Sequence, residues 1–180
     1  MQQRLVKRGY FPLDRLLVTE GMGFIGSNFI LYAHDHWKTS DIMNLDAISY
    51  GAVPENLTEL ENGLRYKFVK GNTADKMLIE RHVSEVDVIV HFVAETHVDR
   101  SIADPESFLR SNVLGTFTLL EAARRSNIKK FVHISTDEVY GSIRTGSFEE
   151  VDRLQASSPY SALYGGWAFV EGGWPGFQVR

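Results

Sequence analysis

The sequence predicts a doubly wound α/β domain built on a parallel β-sheet. Short apolar runs alternate along the chain with segments of helical periodicity, and a glycine cluster stands between the first apolar run and the first helical segment. Alternation of this kind is typical of a parallel sheet with helices on both faces. The 180 residues are enough for one domain with one hydrophobic core.

Each element of the domain can be placed on the sequence in turn. The apolar runs predict strands at 16–18, 41–46, 66–69, 86–94 and 131–134. The helical segments are expected at 24–33, 76–83 and 104–127. In the last of these, the side chain of Asp104 can cap the helix and Pro105 suits its first turn, while Asn127 suits its end.

The two ends of the chain differ from the rest in composition. We expect an N-terminal lead at 1–14, the folded domain at 15–164 and an atypical tail at 165–180. The tail holds five glycines and Pro175. Each glycine opposes a helix by about 1 kcal/mol relative to alanine.

The composition excludes several classes of function. There are no cysteines, so disulfides, thiolate zinc sites and cysteine nucleophiles are ruled out. The six histidines lack metal-ligand spacing, and we expect no metal site. A net charge of -4 gives no reason to expect a nucleic-acid or membrane partner. Without an apolar run long enough for a signal peptide or a membrane span, a cytoplasmic location is expected.

The glycine cluster at 21–26 fits the pattern G-x-G-x-x-G. Gly21, Gly23 and Gly26 would let the backbone turn sharply and approach a pyrophosphate, which then lies at the positive end of the following helix. Asp46 ends the next strand, where a carboxylate accepts the ribose hydroxyls of NAD and repels the 2′-phosphate of NADP. The glycines alone would fit any tight strand-to-helix turn, but together with Asp46 they predict a Rossmann-type NAD site.

A pair of acidic residues, Asp137 and Glu138, follows the fifth predicted strand. Elimination of water needs one carboxylate as a base and one carboxylic acid as a proton donor, and neighbouring carboxylates tend to push their pKa values apart. The carboxyl ends of parallel strands are also where such sheets bind ligands. On its own the pair is more typical of a solvated acidic turn.

Four motifs together resemble a known enzyme family. They stand at 91–101, 112–116, 135–141 and 160–162, and their order and spacing resemble the dTDP-glucose 4,6-dehydratases over about 15–163. These are NAD-dependent epimerase/dehydratase proteins of the extended short-chain dehydrogenase type. The resemblance implies a lyase that converts dTDP-glucose to dTDP-4-keto-6-deoxyglucose.

The resemblance also implies catalytic roles. Tyr160, held by Thr136 and a lysine, would remove the proton of the sugar 4-hydroxyl, while a hydride passes from C4 to NAD and later returns at C6. Glu138 would take the C5 proton, and Asp137 would protonate the departing 6-hydroxyl.

Further ligand contacts follow from the same resemblance. Thr96 and Thr136 would contact the substrate. The cofactor would be lined by Phe24 and Ile25 at the pyrophosphate turn, Asn72 and Thr73 at the adenine, Ala94 after the fourth strand, Ser111 near the nicotinamide ribose, and Tyr160. Ordinary packing or capping would equally explain Phe24, Ile25, Ala94, Thr96 and Ser111.

The chain departs from the family pattern at three places. Glu20 replaces a glycine beside the pyrophosphate, where its charge would repel phosphate. Asn72 and Thr73 stand where the family has Asp-Ile. Tyr164 replaces the lysine that lowers the pKa of the catalytic tyrosine, and a phenol near its reference pKa of about 10 is a poor base at neutral pH.

These departures leave more than one function open. The domain is expected to be truncated, without the C-terminal substrate domain of the family. A catalytically inactive NAD-binding module is the main alternative to an active dehydratase. The others are a 4-epimerase or a 4,6-dehydratase of another sugar nucleotide, although Asp137 and Glu138 argue against an epimerase. A homodimer is possible.

Overall fold

A computed structural model describes residues 15–92, 105–149, 151–157 and 161–162. They form a five-stranded sheet in which all four strand pairings are parallel, as predicted. The strands are β1 (Arg15–Thr19), β2 (Asp41–Asp46), β3 (Tyr66–Lys70), β4 (Val88–His91) and β5 (Lys130–His133). Their order in the sheet is β3-β2-β1-β4-β5. The order in which strands are added therefore reverses between β1 and β4. At such a switch point, parallel sheets open a crevice at their carboxyl edge.

Helices cover both faces of the sheet. They are α1 (Phe24–His36), α2 (Lys76–Val83), α3 (Pro105–Phe108) and α4 (Thr116–Arg125), with a π-helical turn (Leu109–Gly115) between the last two. Two 3₁₀ turns, Pro54–Leu60 and Asp137–Tyr140, were not expected from the sequence. Within the described ranges, no helix has both the length and the apolar character needed to cross a membrane.

The core is divided by the alternation of side chains along each strand. Leu17 and Ile89 point to one face, where they pack with residues of α2 and α4. Val18 and Ile42 point to the other face, where they pack with Ile30 of α1. Because β1 and β4 are buried on both faces, they are nearly continuous apolar runs in the sequence.

The prediction of one regular helix at 104–127 is wrong. The helical segment begins at Pro105 and changes to π geometry at Leu109–Gly115 before α4. A Cβ atom at Gly115 would overlap the hydroxyl of Thr73, so the glycine lets the π turn lie against the loop after β3. Apolar periodicity does not reveal one extra residue in a turn, and π turns are frequent at functional sites. Asp104, the predicted cap, lies outside the described residues.

Candidate functional site

The glycine turn joins β1 to α1 at the carboxyl edge of the sheet. A Cβ atom at Gly26 would overlap the carbonyl oxygen of Glu20 and lie 2.8 Å from the Cα of Gly21. A Cβ at Gly21 would overlap the Asn44 side chain. Gly23 differs, since the nearest atom to its added Cβ is 3.3 Å away. The packing of the turn therefore requires glycine at 21 and 26, whereas Gly23 keeps the outer surface of the turn open.

The beginning of α1 fits an anion. Gly23 precedes the helix in an extended conformation, and no side chain of the described residues caps it. The first N–H group bonded within the helix is that of Ser27, which donates to the Gly23 carbonyl. The preceding N–H groups have no acceptor within the helix, and its dipole adds positive potential. Phe24 and Ile25 stand at this opening, 82% and 61% exposed.

Asp46 is bonded directly to the glycine turn. The residue is 3% exposed, and its carboxylate accepts the N–H of Met22 at 2.9 Å through Oδ2 and the N–H of Ile48 at 2.7 Å through Oδ1. Each oxygen keeps a second acceptor position for a ligand hydroxyl. The structure thus brings Asp46 together with the glycines, as the sequence predicted.

Asn44 is a residue of the site that the sequence analysis missed. Its Oδ1 accepts the N–H of Gly21 at 3.1 Å, and its Nδ2 donates to the hydroxyl of Tyr66 at 2.9 Å. Asn44 is fully buried and ties the first residue of the turn to β2 and β3. The sequence carried a signal for it, because the amide of Asn44 stands between the apolar residues Met43 and Leu45.

Glu20 adopts the left-handed backbone conformation, with φ of 55°. This conformation costs a residue with a Cβ about 1 to 2 kcal/mol. Glycine would adopt this conformation without that cost. The sequence placed Glu20 beside the turn but gave no sign of its backbone strain.

A buried hydrogen-bond chain lies beneath the crevice and joins β1, β4 and α4. Thr116 Oγ1 donates to the Asn112 carbonyl at 2.8 Å, so it must accept from His91 Nε2, 2.9 Å away. His91 Nδ1 then accepts from Thr19 Oγ1 at 2.8 Å, and that oxygen accepts the N–H of Phe92 at 3.3 Å. Only a neutral His91 with its proton on Nε2 satisfies every link.

Burial also keeps the neighbouring histidine neutral. The rings of His91 and His133 stack with centroids 5.2 Å apart. Burial, together with the charge that His133 can carry, holds the pKa of His91 well below its ordinary value. Burial lowers the pKa of His133 to about 4. β4 and β5 therefore each end in a histidine whose imidazole is uncharged at neutral pH.

The acidic pair is presented by the 3₁₀ turn after β5. Thr136 caps this turn, with its Oγ1 accepting the N–H of Glu138 at 3.3 Å, and the same hydroxyl lies 3.5 Å from Oδ1 of Asp137. Asp137 and Glu138 are exposed, while Val139 is buried and anchors the turn. The pair therefore faces solvent at the same edge of the sheet as the glycine turn.

Gly141 lets the following segment return to this turn. Its φ is 86°, an angle that glycine adopts without strain, and its N–H donates to the Glu138 carbonyl at 3.1 Å. A Cβ there would lie 2.5 Å from the carbonyl oxygen of Gln155. The N–H of Gln155 donates to the Val139 carbonyl at 2.9 Å. Gln155 is held in this way against the acidic turn.

Three further predicted residues lie on the loop after β3 and on the π turn: Asn72, Thr73 and Ser111. Asn72 is exposed, and its Oδ1 accepts the N–H of Ala74 at 2.8 Å, which is a turn-forming role. Thr73 is buried against Gly115, and Ser111 lies half-buried on the same π turn.

Three of the predicted residues, Ala94, Thr96 and Tyr160, lie outside the described residues, as does Tyr164. Thr136 and its acidic neighbours follow β5, two strands away from the glycine turn. In the described part of the chain, no group of three metal-ligating side chains could hold a metal ion.

Known proteins resemble this chain over most of its length. Residues 17–169 match the family model described as GDP-mannose 4,6 dehydratase. The low-salt glycan biosynthesis protein Agl12 of Haloferax volcanii is 47% identical over 151 residues, which cover 84% of this chain and 48% of that protein. A dTDP-glucose 4,6-dehydratase of Mycolicibacterium smegmatis is 48% identical over 82% of this chain and 45% of that protein.

A solved structure agrees with the fold. DesIV, a dTDP-glucose 4,6-dehydratase from Streptomyces venezuelae solved with NAD bound, superposes with a TM-score of 0.81 at 44% identity. The match covers 87% of this chain and 50% of DesIV. The chain thus spans about half the length of the relatives it matches.

Proposed function

The chain belongs to the GDP-mannose 4,6 dehydratase family, and on that premise we propose that it forms the NAD-binding part of a dTDP-glucose 4,6-dehydratase. The observation that carries the proposal is the bond between the Asp46 carboxylate and the N–H of Met22 inside the glycine turn. This hydrogen bond holds the carboxylate that would accept the ribose hydroxyls beside the glycine turn that would bind the pyrophosphate. The proposed reaction is the one named for two of the relatives above, which are dTDP-glucose 4,6-dehydratases.

In this proposal the described residues bind and orient the cofactor. The pyrophosphate lies at the open N-terminus of α1, beside Gly23, Phe24 and Ile25. The second acceptor positions of Asp46 bind the ribose hydroxyls. Bound NAD would supply a hydride acceptor that is also the later hydride donor. Asn72, Thr73, Ala94, Ser111 and Tyr160 are proposed as further contacts.

The same proposal assigns the reacting groups. Thr136 holds the sugar 4-hydroxyl and Tyr160 takes its proton, with Thr96 as a further substrate contact. Glu138 takes the proton from C5, and Asp137 donates a proton to the leaving 6-hydroxyl. The exposure of Asp137 and Glu138 on a capped turn supports this assignment, because both carboxylates are accessible to a ligand.

Partners, domain limits and location follow as proposals. Residues 15–164 form the domain and 165–180 a tail, and the protein acts on a nucleotide sugar in the cytoplasm, without nucleic-acid or membrane partners. The exposed apolar side chains of Leu109, Leu114 and Phe117 support a homodimer. They share one helical segment, so a twofold axis could bring two such segments together.

We expect NAD to bind at least about tenfold more tightly than NADP, since the buried Asp46 carboxylate repels a 2′-phosphate. Isothermal titration of the chain with each cofactor measures the difference. Asp46→Asn should weaken NAD binding and reduce the preference for NAD over NADP. Asp41→Asn is the control, because Asp41 is exposed at the opposite end of the same strand. Equal or tighter binding of NADP by the unmodified chain would contradict the role of Asp46.

A catalytically inactive NAD-binding module is the second candidate function, and Tyr164 is the observation that favours it. In the family a lysine stands there and lowers the pKa of the catalytic tyrosine. Without a positive charge, Tyr160 stays mostly protonated at neutral pH. We expect no measurable 4-keto-6-deoxy product when the chain is incubated with NAD and dTDP-glucose under conditions in which the M. smegmatis relative is assayed in parallel. Clear product from this chain would restore the active dehydratase.

A further inference from the structure

The backbone of Glu20 is fixed on both sides within the glycine turn. Its N–H donates to the Leu45 carbonyl at 3.0 Å, and its carbonyl accepts the N–H of Gly23 at 3.2 Å. With φ at 55°, the Cα–Cβ bond points in a direction set by these two bonds. The starting direction of the side chain is therefore a property of the turn itself.

That direction leads to the surface of Gly23. At the point where Gly23 would carry a Cβ, the three nearest atoms all belong to Glu20: its carbonyl oxygen at 3.3 Å, its Cγ at 3.5 Å and its Cδ at 4.0 Å. Gly23 is the residue immediately before α1, and its open surface is where a pyrophosphate would approach the helix. The carboxyl group of Glu20 thus lies against the anion cradle.

The charge of Glu20 adds to one that is already present. Asp46 bonds to the adjacent Met22 N–H, so the turn is flanked by two acidic side chains. Asp46 lies on the β2 side, where a ribose would bind, whereas Glu20 lies over Gly23, where the phosphates would bind. Repulsion between like charges at such short range is strong when the surroundings are partly buried.

We propose that Glu20 is a built-in competitor for the pyrophosphate, which sets how tightly the turn binds ligands that contain a diphosphate. The inference rests on the proposed NAD site and adds its regulation by a residue of the chain itself. A ligand with a diphosphate must displace the carboxyl group from Gly23. A ligand without phosphate, such as adenosine, meets no such obstacle.

Two substitutions separate charge from shape. Glu20→Gln keeps the side-chain volume and removes the charge, and Glu20→Gly removes both together with the backbone strain. By isothermal titration, we expect NAD to bind about tenfold more tightly to Glu20→Gln than to the unmodified chain, and more tightly still to Glu20→Gly. Raising the salt concentration should reduce the difference between the unmodified chain and Glu20→Gln, because salt screens the repulsion.

Two controls accompany these variants. Glu55→Gln removes one exposed negative charge from the neighbouring 3₁₀ turn, whose preceding residue Val53 donates its N–H to the Met22 carbonyl at 2.8 Å. It should leave NAD affinity within about twofold. Adenosine, titrated by NMR, should bind all four proteins alike.

Each other outcome overturns the inference. Unchanged NAD affinity in both Glu20 variants would mean that the carboxyl group does not compete with the ligand. An equal gain for adenosine would mean that the variants act on the turn as a whole. In both cases the proposed NAD site would stand, because the chain would still bind NAD. If neither the unmodified chain nor Glu20→Gly bound NAD or adenosine, the proposed function would fall together with the inference.

Discussion

Replacing Gly26 with alanine should abolish measurable NAD binding and lower the free energy of unfolding by about 3 kcal/mol. The added methyl group would overlap the Glu20 carbonyl oxygen and lie 2.8 Å from the Cα of Gly21. Both are backbone atoms, so no side-chain rotation can relieve the overlap. The turn must open, and the bond from Asp46 to the Met22 N–H is then expected to be lost.

Gly23→Ala is the matched control for this substitution. Its added methyl group would lie 3.3 Å from the Glu20 carbonyl oxygen, a tight contact that needs a shift of a few tenths of an ångström and not an opening of the turn. We therefore expect the free energy of unfolding to change by less than about 1 kcal/mol. NAD affinity should nevertheless fall, since the methyl group occupies the surface that the pyrophosphate approaches. Urea denaturation and isothermal titration measure the two quantities. A Gly26→Ala chain as stable as the unmodified one would show that the turn is not packed as described.

Acid is expected to destabilise the protein at pH values well above those at which carboxylates titrate. The pKa of His133 is lowered by burial to about 4, against an ordinary value of 6.5. The unfolded chain therefore binds a proton that the folded chain does not bind between these values. Stability from this residue is fully present above pH 6.5 and is lost as the pH falls toward 4, by about 2 kcal/mol between pH 7 and pH 5. His91, whose pKa is also lowered, acts in the same direction.

Urea denaturation at several pH values between 7 and 5 tests this expectation. His133→Phe keeps a ring beside His91 and removes one titrating group, so the fall in stability with acid should become shallower. His36→Phe is the control, because it makes the same substitution at a side chain that is about half exposed at the end of α1. If His133→Phe had the same pH dependence as the unmodified chain, His133 would not be a neutral buried group.

The sheet was predictable because its signals are local. Strands such as β1 and β4 are short apolar runs, and α2 was predicted with the bounds that the structure has. The glycine turn and Asp46 were also predictable, since their chemistry fixes a spacing along the chain. The strand order depends instead on which strands pair in space, and we did not predict it.

Other parts of the site depend on contacts between distant residues. Asn44 lies between the apolar residues Met43 and Leu45, and His91 ends the apolar strand β4. Only the fold shows which partners these two side chains bind. The π turn exists where Gly115 meets Thr73, two residues far apart in sequence. The left-handed backbone of Glu20 depends on bonds to Leu45 and Gly23. Sequence patterns identified these positions as unusual at most, and did not supply the geometry.

We propose above all that the carboxyl edge of this sheet binds NAD. The most direct test is a titration of the ¹⁵N-labelled chain with NAD, followed by two-dimensional NMR. We expect the amide signals of residues 21–26 and 46–48 to shift, while those at the opposite edge, around Asp41, Tyr66 and Glu85, stay in place. Shifts confined to the opposite edge, or no shifts at NAD concentrations in the millimolar range, would contradict the claim.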